Sequence, residues 1–250
     1  MKPQTIYIDI NCDVGEGIGN EADLMPLISS CNIACGGHAG SIETILQVAH
    51  LAKENRVKVG AHPSYLDKEN FGRVSLNISP DILIKDLRTQ MESFTSALDK
   101  VGIQMHHIKA HGALYNDIAK DIELAKIFLR AISRYKEHIF LYVPYKSAIE
   151  LEALKQNFNI KYEAFADRNY NNDLSLLSRQ LPNAVIEQPE QLCAHLLTMV
   201  QDRVVKAEDG STVEIKADTF CIHGDTPSAL QILMYLTKEL PQHNIFIKRE

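Results

Sequence analysis

A parallel α/β sheet with crossover helices is the fold class this sequence predicts, and three observations carry it. Short apolar, β-rich runs alternate with longer segments of helical period from one end of the chain to the other. No Pro/Gly/Ser-rich linker and no break in composition interrupts them, so residues 1–250 read as one domain. Polar side chains gather where the apolar runs stop, which is the edge where parallel α/β proteins build their sites. A closed barrel and a doubly wound open sheet both satisfy this pattern.

The expected strands are Thr5–Ile10, Cys31–Cys35, Val57–Ala61, His106–Lys109, Ile139–Val143, Lys161–Phe165 and Thr219–Ile222. The expected helices are Ser41–Glu54, Pro80–Val101, Ile118–Tyr135, Tyr145–Asn157, Glu190–Val204 and Pro227–Leu240. Ser79-Pro80-Asp81 makes a helix start, with serine at the N-cap, proline at the first position and an acid next. Val204–Ile215, centred on Asp209-Gly210, reads as an inserted hairpin.

Composition removes several function classes. The net charge is −6 with no basic block, which argues against nucleic acid and anionic membranes as partners. No apolar run approaches the roughly 18–20 residues of a membrane span. The opening MKPQTIYIDIN lacks the apolar core of a secretory signal, so a cytoplasmic protein is expected. The five cysteines are odd in number and lie mostly in apolar runs, which suits free buried thiols. Cys31 and Cys35 have no second pair to complete a zinc knot.

The strand period of two sharpens the reading. Ile6, Ile8, Ile10 and Cys12 share one face of the first strand, and Asp9, Asn11 and Asp13 share the other. Two carboxylates and an amide are costly to bury unless paired, metal-bound or facing a wet cavity. Other strand ends deliver His38, His62, Lys109 with His111, Asp167 with Arg168, and His223 with Asp225. Six strand ends bearing ionisable groups predict one converging site.

The loop Gly15-Glu16-Gly17-Ile18-Gly19 superficially suits a dinucleotide cradle. Its third glycine falls one residue early, and Asp13, Glu16 and Glu21 would repel a diphosphate. A nucleotide triphosphate loop, a G-x-S-x-G elbow and an H-E-x-x-H helix are all missing from the sequence. What remains is a carboxylate, imidazole and lysine site, with a metal optional, suited to hydrolysing an amide, lactam or ester.

Six stretches in order, DINCDVGEGIGNE, NIACGGHAG, VGAHPSYLDKENFGR, IKAHGALYN, EAFADRNY and CIHGDTPSAL, closely resemble the A-subunit family of 5-oxoprolinase, the LamB/YcsF-type proteins. They run from Asp9 to about Leu230. The resemblance implies a single (β/α) barrel, seven-stranded and related to the polysaccharide deacetylase fold. It also implies ATP-dependent opening of 5-oxoproline to glutamate, together with 5-oxoprolinase B and C subunits. If those partners activate the lactam, this chain needs no ATP loop of its own.

Carried over, the motifs imply Asp13, Glu16, His62, Lys109 and His111 as catalytic groups. Asn11, His38, Arg73, Asp167, Arg168, Tyr170, His223 and Asp225 would bind substrate. Asp13, His62 and His111 also make a zinc-type ligand set, so a divalent metal is a further expectation. The chain departs from the family pattern at Gly37, at Ser41-Ile42, at Ala110 and across 173–179. Two other functions share this barrel: a stand-alone metal-dependent deacetylase or amidohydrolase, and a non-catalytic 5-oxoproline-binding subunit.

Overall fold

The computed structural model describes residues 5–226 and 228–249. In order, these form β1 (Ile6–Val14), α1 (Glu21–Leu24), β2 (Ser30–Ala34), α2 (Ile42–Glu54), β3 (Lys58–His62) and α3 (Pro80–Val101). Then come β4 (His107–Ile108), α4 (Gly112–Lys120), α5 (Ile122–Ile132), β5 (Phe140–Pro144), α6 (Ala148–Lys155) and β6 (Ile160–Phe165). The last third holds α7 (Pro189–Leu197), β7 (Val204–Lys206), β8 (Thr212–Glu214), β9 (Thr219–Cys221), α8 (Ala229–Glu239) and β10 (Ile245–Ile247).

Strands β1 to β6 pair in sequence order, all parallel, and β9 joins β6 back to β1. The sheet is therefore a closed seven-stranded barrel, not an open doubly wound sheet. Strand β1 runs four residues further than its apolar pattern suggested, because its polar half pairs with β2 from Asn11↔Ser30 to Val14↔Ile33. The N-terminal part of β1 pairs with β10, Ile6↔Ile245 to Ile8↔Ile247, outside the ring. Three residues gave β10 no readable period. The late hairpin is present, with β7 antiparallel to β8.

The helix expected at Ile118–Tyr135 is two helices. Asp121 adopts an extended backbone and its carboxylate accepts from the N–H groups of Glu123 and Leu124, at 2.8 and 3.0 Å. Asp121 thus ends α4 and caps α5, since a short acid serves a helix start better than a helix interior. The α3 boundaries match, although Ser79 makes no side-chain cap bond, and Gly102 closes the helix at φ +70°. Helix α8 starts at Ala229, and Pro227 lies outside the described residues.

Ile8, Ile10, Cys12 and Val14 are buried among the apolar core residues. The opposite parity of β1 meets partners from across the ring. Asp9 Oδ1 accepts from Ser30 Oγ at 2.8 Å and Thr219 Oγ1 at 2.6 Å. Asn11 donates to Thr219 Oγ1 at 2.9 Å. Above them, Asn32 Oδ1 lies 2.6 Å from His107 Nε2, and the His107 ring stacks on Tyr142 at 4.0 Å. This hydrogen-bonded layer fills the barrel below its mouth. It offsets most of the cost of burying polar groups that the sequence raised, with Asp9 Oδ2 left as a buried acceptor without a hydrogen-bond partner among the described residues. All five cysteines are free and buried. Among the described residues no helix is long and apolar enough to cross a membrane.

Candidate active site

The mouth lies where β1 to β4, β6 and β9 end, and a cavity of about 470 Å³ opens there. Its wall includes Asp13, Glu16, His62, Lys109, His111 and His223. Parallel pairing places Asp13 beside Asn32 and Ala34 beside His62, so the strand ends deliver these groups together.

Lys109 is the hub. Its Nζ lies 2.9 Å from Asp13 Oδ1, 3.0 Å from Glu163 Oε1 and 3.0 Å from Cys221 Sγ, all buried. Burial alone would lower its pKa, but Asp13, Cys221 and Glu163 hold the ammonium well above its ordinary value. Asp13 also accepts from Asn32 at 2.7 Å, and its Oδ2 is 3.3 Å from His62 Nε2. Burial pushes the Asp13 carboxyl up, yet His62 and Lys109 beside it hold it well below the carboxylate range. Glu163 goes the other way, because burial raises it more than Lys109 lowers it.

The loop after β1 turns on Gly15, Gly17 and Gly19, all with φ between +73° and +86°. That turn carries Glu16 over the mouth, where Oε1 lies 2.9 Å from His38 Nε2 and 3.4 Å from His111 Nδ1. Burial, with Asp13 and Asp225 nearby, raises the Glu16 carboxyl well above its ordinary value. His38 is pushed down to about 2 by burial and by His62. His111 is lowered well below its usual range by burial, His38 and His62. His38 and His111 stack with ring centroids 3.5 Å apart, and His62 stands edge-on to both.

His38 Nδ1 faces the Ser64 hydroxyl at 3.0 Å, and Gln90 clamps the Ser64 backbone at 3.0 and 2.8 Å. A Cβ at residue 37 would sit 2.3 Å from Ser64 Oγ and 2.6 Å from Gln90 Oε1. Gly37, the departure from the family pattern, is therefore what leaves room for this support.

The remaining expected residues divide. His223 stands over the cavity with its Nδ1 2.9 Å from Asp167 Oδ2, and its backbone N–H donates to the same oxygen at 2.8 Å. Burial raises the Asp167 carboxyl, but the His223 contacts outweigh it and lower the pKa. Arg73, at the rim, pairs with Asp225. Arg168 reaches the cavity wall, but its guanidinium donates to the carbonyls of Ala184 and Leu177 and so fastens the 169–186 loop. Burial and Arg179 bring its pKa down to about 10.

Asn11 lies below the cavity, accepting from Asn32 at 2.7 Å. Tyr170 accepts from the Phe165 N–H at 2.6 Å and lines a second cavity of about 290 Å³. That second chamber shares Tyr115 and Phe165 with the first and is walled by Glu163. The sequence reading missed Asn32, Glu163 and Tyr115. The available signal was strand parity, since Glu163 shares its face with Phe165 and Asp167 in a run expected to be buried.

Four similarities bear on this site. The sequence profile of the LamB/YcsF family matches residues 8–249. The 5-oxoprolinase A-subunit of Symbiobacterium thermophilum is 40% identical over 238 residues, 93% of this chain and 91% of that protein. The Pyrococcus abyssi protein of the same name is 36% identical over 243 residues, 95% of each chain. A crystal structure of a lactam utilization protein from Thermus thermophilus superposes with a TM-score of 0.88 at 33% identity. It covers 98% of this chain and 100% of its own. Matched over almost its whole length in sequence and in barrel, this chain belongs to the LamB/YcsF family.

Proposed function

We propose that this chain is the A component of an ATP-dependent 5-oxoprolinase and contributes the site at which the lactam of 5-oxoproline is hydrolysed to glutamate. The observation that carries the reading is the buried Asp13–Lys109 pair at the base of a cavity sized for a small ligand. It is joined by the names borne by relatives that match nearly the full chain.

Each residue then has a role set by its surroundings. Asp13, kept ionised by Lys109 and His62, takes a proton from the attacking water. The Lys109 ammonium offsets the negative charge of the lactam oxygen and its activating phosphoryl group as water adds to the ring carbon. His223, its Nδ1 fixed by Asp167, presents Nε2 to the cavity and returns a proton to the departing ring nitrogen. Arg73 at the rim suits the substrate carboxylate. The acids of the first loop offer a nucleotide no phosphate site. Phosphoryl transfer from ATP to the lactam oxygen therefore falls to B and C partner subunits; opening of that ring by water leaves an acyl phosphate, whose hydrolysis gives glutamate and inorganic phosphate.

The test is glutamate release from 5-oxoproline by the chain co-expressed with its partner proteins, with and without ATP. Turnover should need both ATP and the partners, and Asp13→Asn should lower it about 10²–10⁴-fold. Hydrolysis by the chain alone, without ATP, would point instead to a stand-alone amidohydrolase. Full turnover by the Asp13→Asn complex would reduce the chain to a non-catalytic binding role.

A further inference from the structure

Three imidazoles and one carboxylate converge above the Asp13–Lys109 pair, and their hydrogen bonds show which nitrogens carry protons. His62 Nδ1 lies 2.9 Å from the carbonyl oxygen of Lys109. His111 Nε2 lies 2.9 Å from the carbonyl oxygen of Phe71. A carbonyl can only accept, so both of these outer nitrogens bear hydrogen. In the neutral rings, the inner nitrogens are then both lone pairs. Yet His62 Nε2 and His111 Nδ1 face each other at 2.9 Å, and Glu16 Oε1 stands 3.4 Å from His111 Nδ1. Two lone pairs and a carboxylate oxygen at such distances call for a shared cation, which either a proton or a metal ion supplies, and Asp13 Oδ2 adds a further acceptor 3.3 Å from His62 Nε2.

We propose that Glu16, His62 and His111 hold a divalent first-row transition-metal ion at the barrel mouth. An ion roughly 2.0–2.2 Å from each donor places neighbouring donors about 2.9 Å apart at a right angle and about 3.5 Å apart at the tetrahedral angle. The two separations, 2.9 and 3.4 Å, lie in that interval. Two imidazoles and one carboxylate suit zinc, manganese, iron, cobalt or nickel better than calcium or magnesium, which prefer all-oxygen shells. Both rings are fixed from behind by backbone carbonyls, the orientation that metal-binding histidines receive. Counted as three donors, these residues leave a coordination position toward the cavity they line, bordered there by Asp13 Oδ2 at 3.3 Å from His62 Nε2.

His38 plays a different part. Its ring lies parallel to His111 within 1°, so its in-plane nitrogen cannot aim at the same point. Its outer nitrogen faces a hydroxyl, which donates as readily as it accepts, leaving Nε2–H free to point at Glu16 Oε1. His38 is therefore a positioning residue for the carboxylate. The set keeps His62 and His111 from the one expected from sequence and adds Glu16, while Asp13, bound to Lys109 through Oδ1, keeps its Oδ2 3.3 Å from His62 Nε2 at the edge of the same site.

Metal content is read without turnover, so this inference stands or falls independently of 5-oxoproline hydrolysis. Tag-free protein stripped with chelator should take up about one zinc or cobalt ion per chain. X-ray absorption of the loaded protein should show two imidazole ligands, and the unfolding temperature should rise on loading. His62→Ala/His111→Ala should reduce uptake to background, and His38→Ala should weaken affinity about 10–100-fold. His50→Ala, at an exposed position on α2, is the control and should bind as wild type. Wild-type uptake no greater than that of the double variant, or absorption spectra without imidazole scattering, overturns the proposal. If the double variant fails to fold, the ligand count on wild type decides alone.

Discussion

Asp13 Oδ1 lies 2.9 Å from Lys109 Nζ, with both side chains almost wholly enclosed by the barrel. Neither charge is tolerable there alone, and Glu163 makes the same demand on the same ammonium. Lys109→Met should therefore cost about 3–5 kcal/mol, the penalty for stranding a buried partner. Urea unfolding measures it, and adding Glu163→Gln to Lys109→Met should recover part of the loss.

The dependence of stability on pH should have two acid-side windows. Buried His107 has its pKa lowered well below 6.5 by burial, His106 and Lys109. The unfolded chain thus binds protons there that the folded chain refuses, and stability falls as pH drops below about 6.5. Asp13 and Asp167 are depressed carboxyls, so their contributions are full above about pH 4 and are lost as pH falls through their folded pKa values. His107→Gln should flatten the upper window by up to about 1.4 kcal/mol per pH unit and leave the lower one. An unchanged slope would show that His107 accepts a proton without unfolding.

Gly60 is set by packing. A Cβ there would lie 2.1 Å from His107 Nε2. That ring is held between Asn32 and Tyr142 and has nowhere to go. Gly60→Ala should cost about 1–3 kcal/mol, as overpacked cores do. Thermal melts of Gly60→Ala and Gly60→Ala/His107→Ala compare the two, and much of the alanine penalty should vanish in the double variant.

The Asp167–His223 pair should act as one unit in turnover. Asp167→Asn and His223→Ala should each lower kcat of the complex by about 10²–10⁴-fold. The double variant should be little slower than either single one. Additive losses would mean that the two residues act separately.

Much of this was legible in the sequence because strand parity is a strict code. The alternation in β1 separated Asp9, Asn11 and Asp13 from the isoleucines, and the barrel keeps that separation. The ends of β3, β4 and β9 delivered His62, Lys109, His111 and His223 as their positions implied. Pairing across the ring was not legible. Asn32 reads as an ordinary polar residue until register sets it beside Asp13, and Glu163 until Lys109 arrives from two strands away. Tyr170 shows the converse, since its motif placed it at the site but its hydroxyl is spent on the Phe165 amide. Bringing Glu16 to His38 and His111, beside the Asp13–His62 pair, required the path of the glycine loop, which no periodicity encodes.

Strand β1 has a consequence for how the molecule breathes. Its nine residues serve β10, β9 and β2 in turn, and at Asn11 it pairs with β2 and β9 at once. Freeing the whole segment means parting it from β10, β9 and β2, and at Asn11 from two of them at once. Its amide hydrogens should exchange with solvent only when the whole domain opens. The acid at its far end is thus mounted on a strand held by three others, while Glu16, two residues past that strand, is carried by the glycine loop and held there by His38.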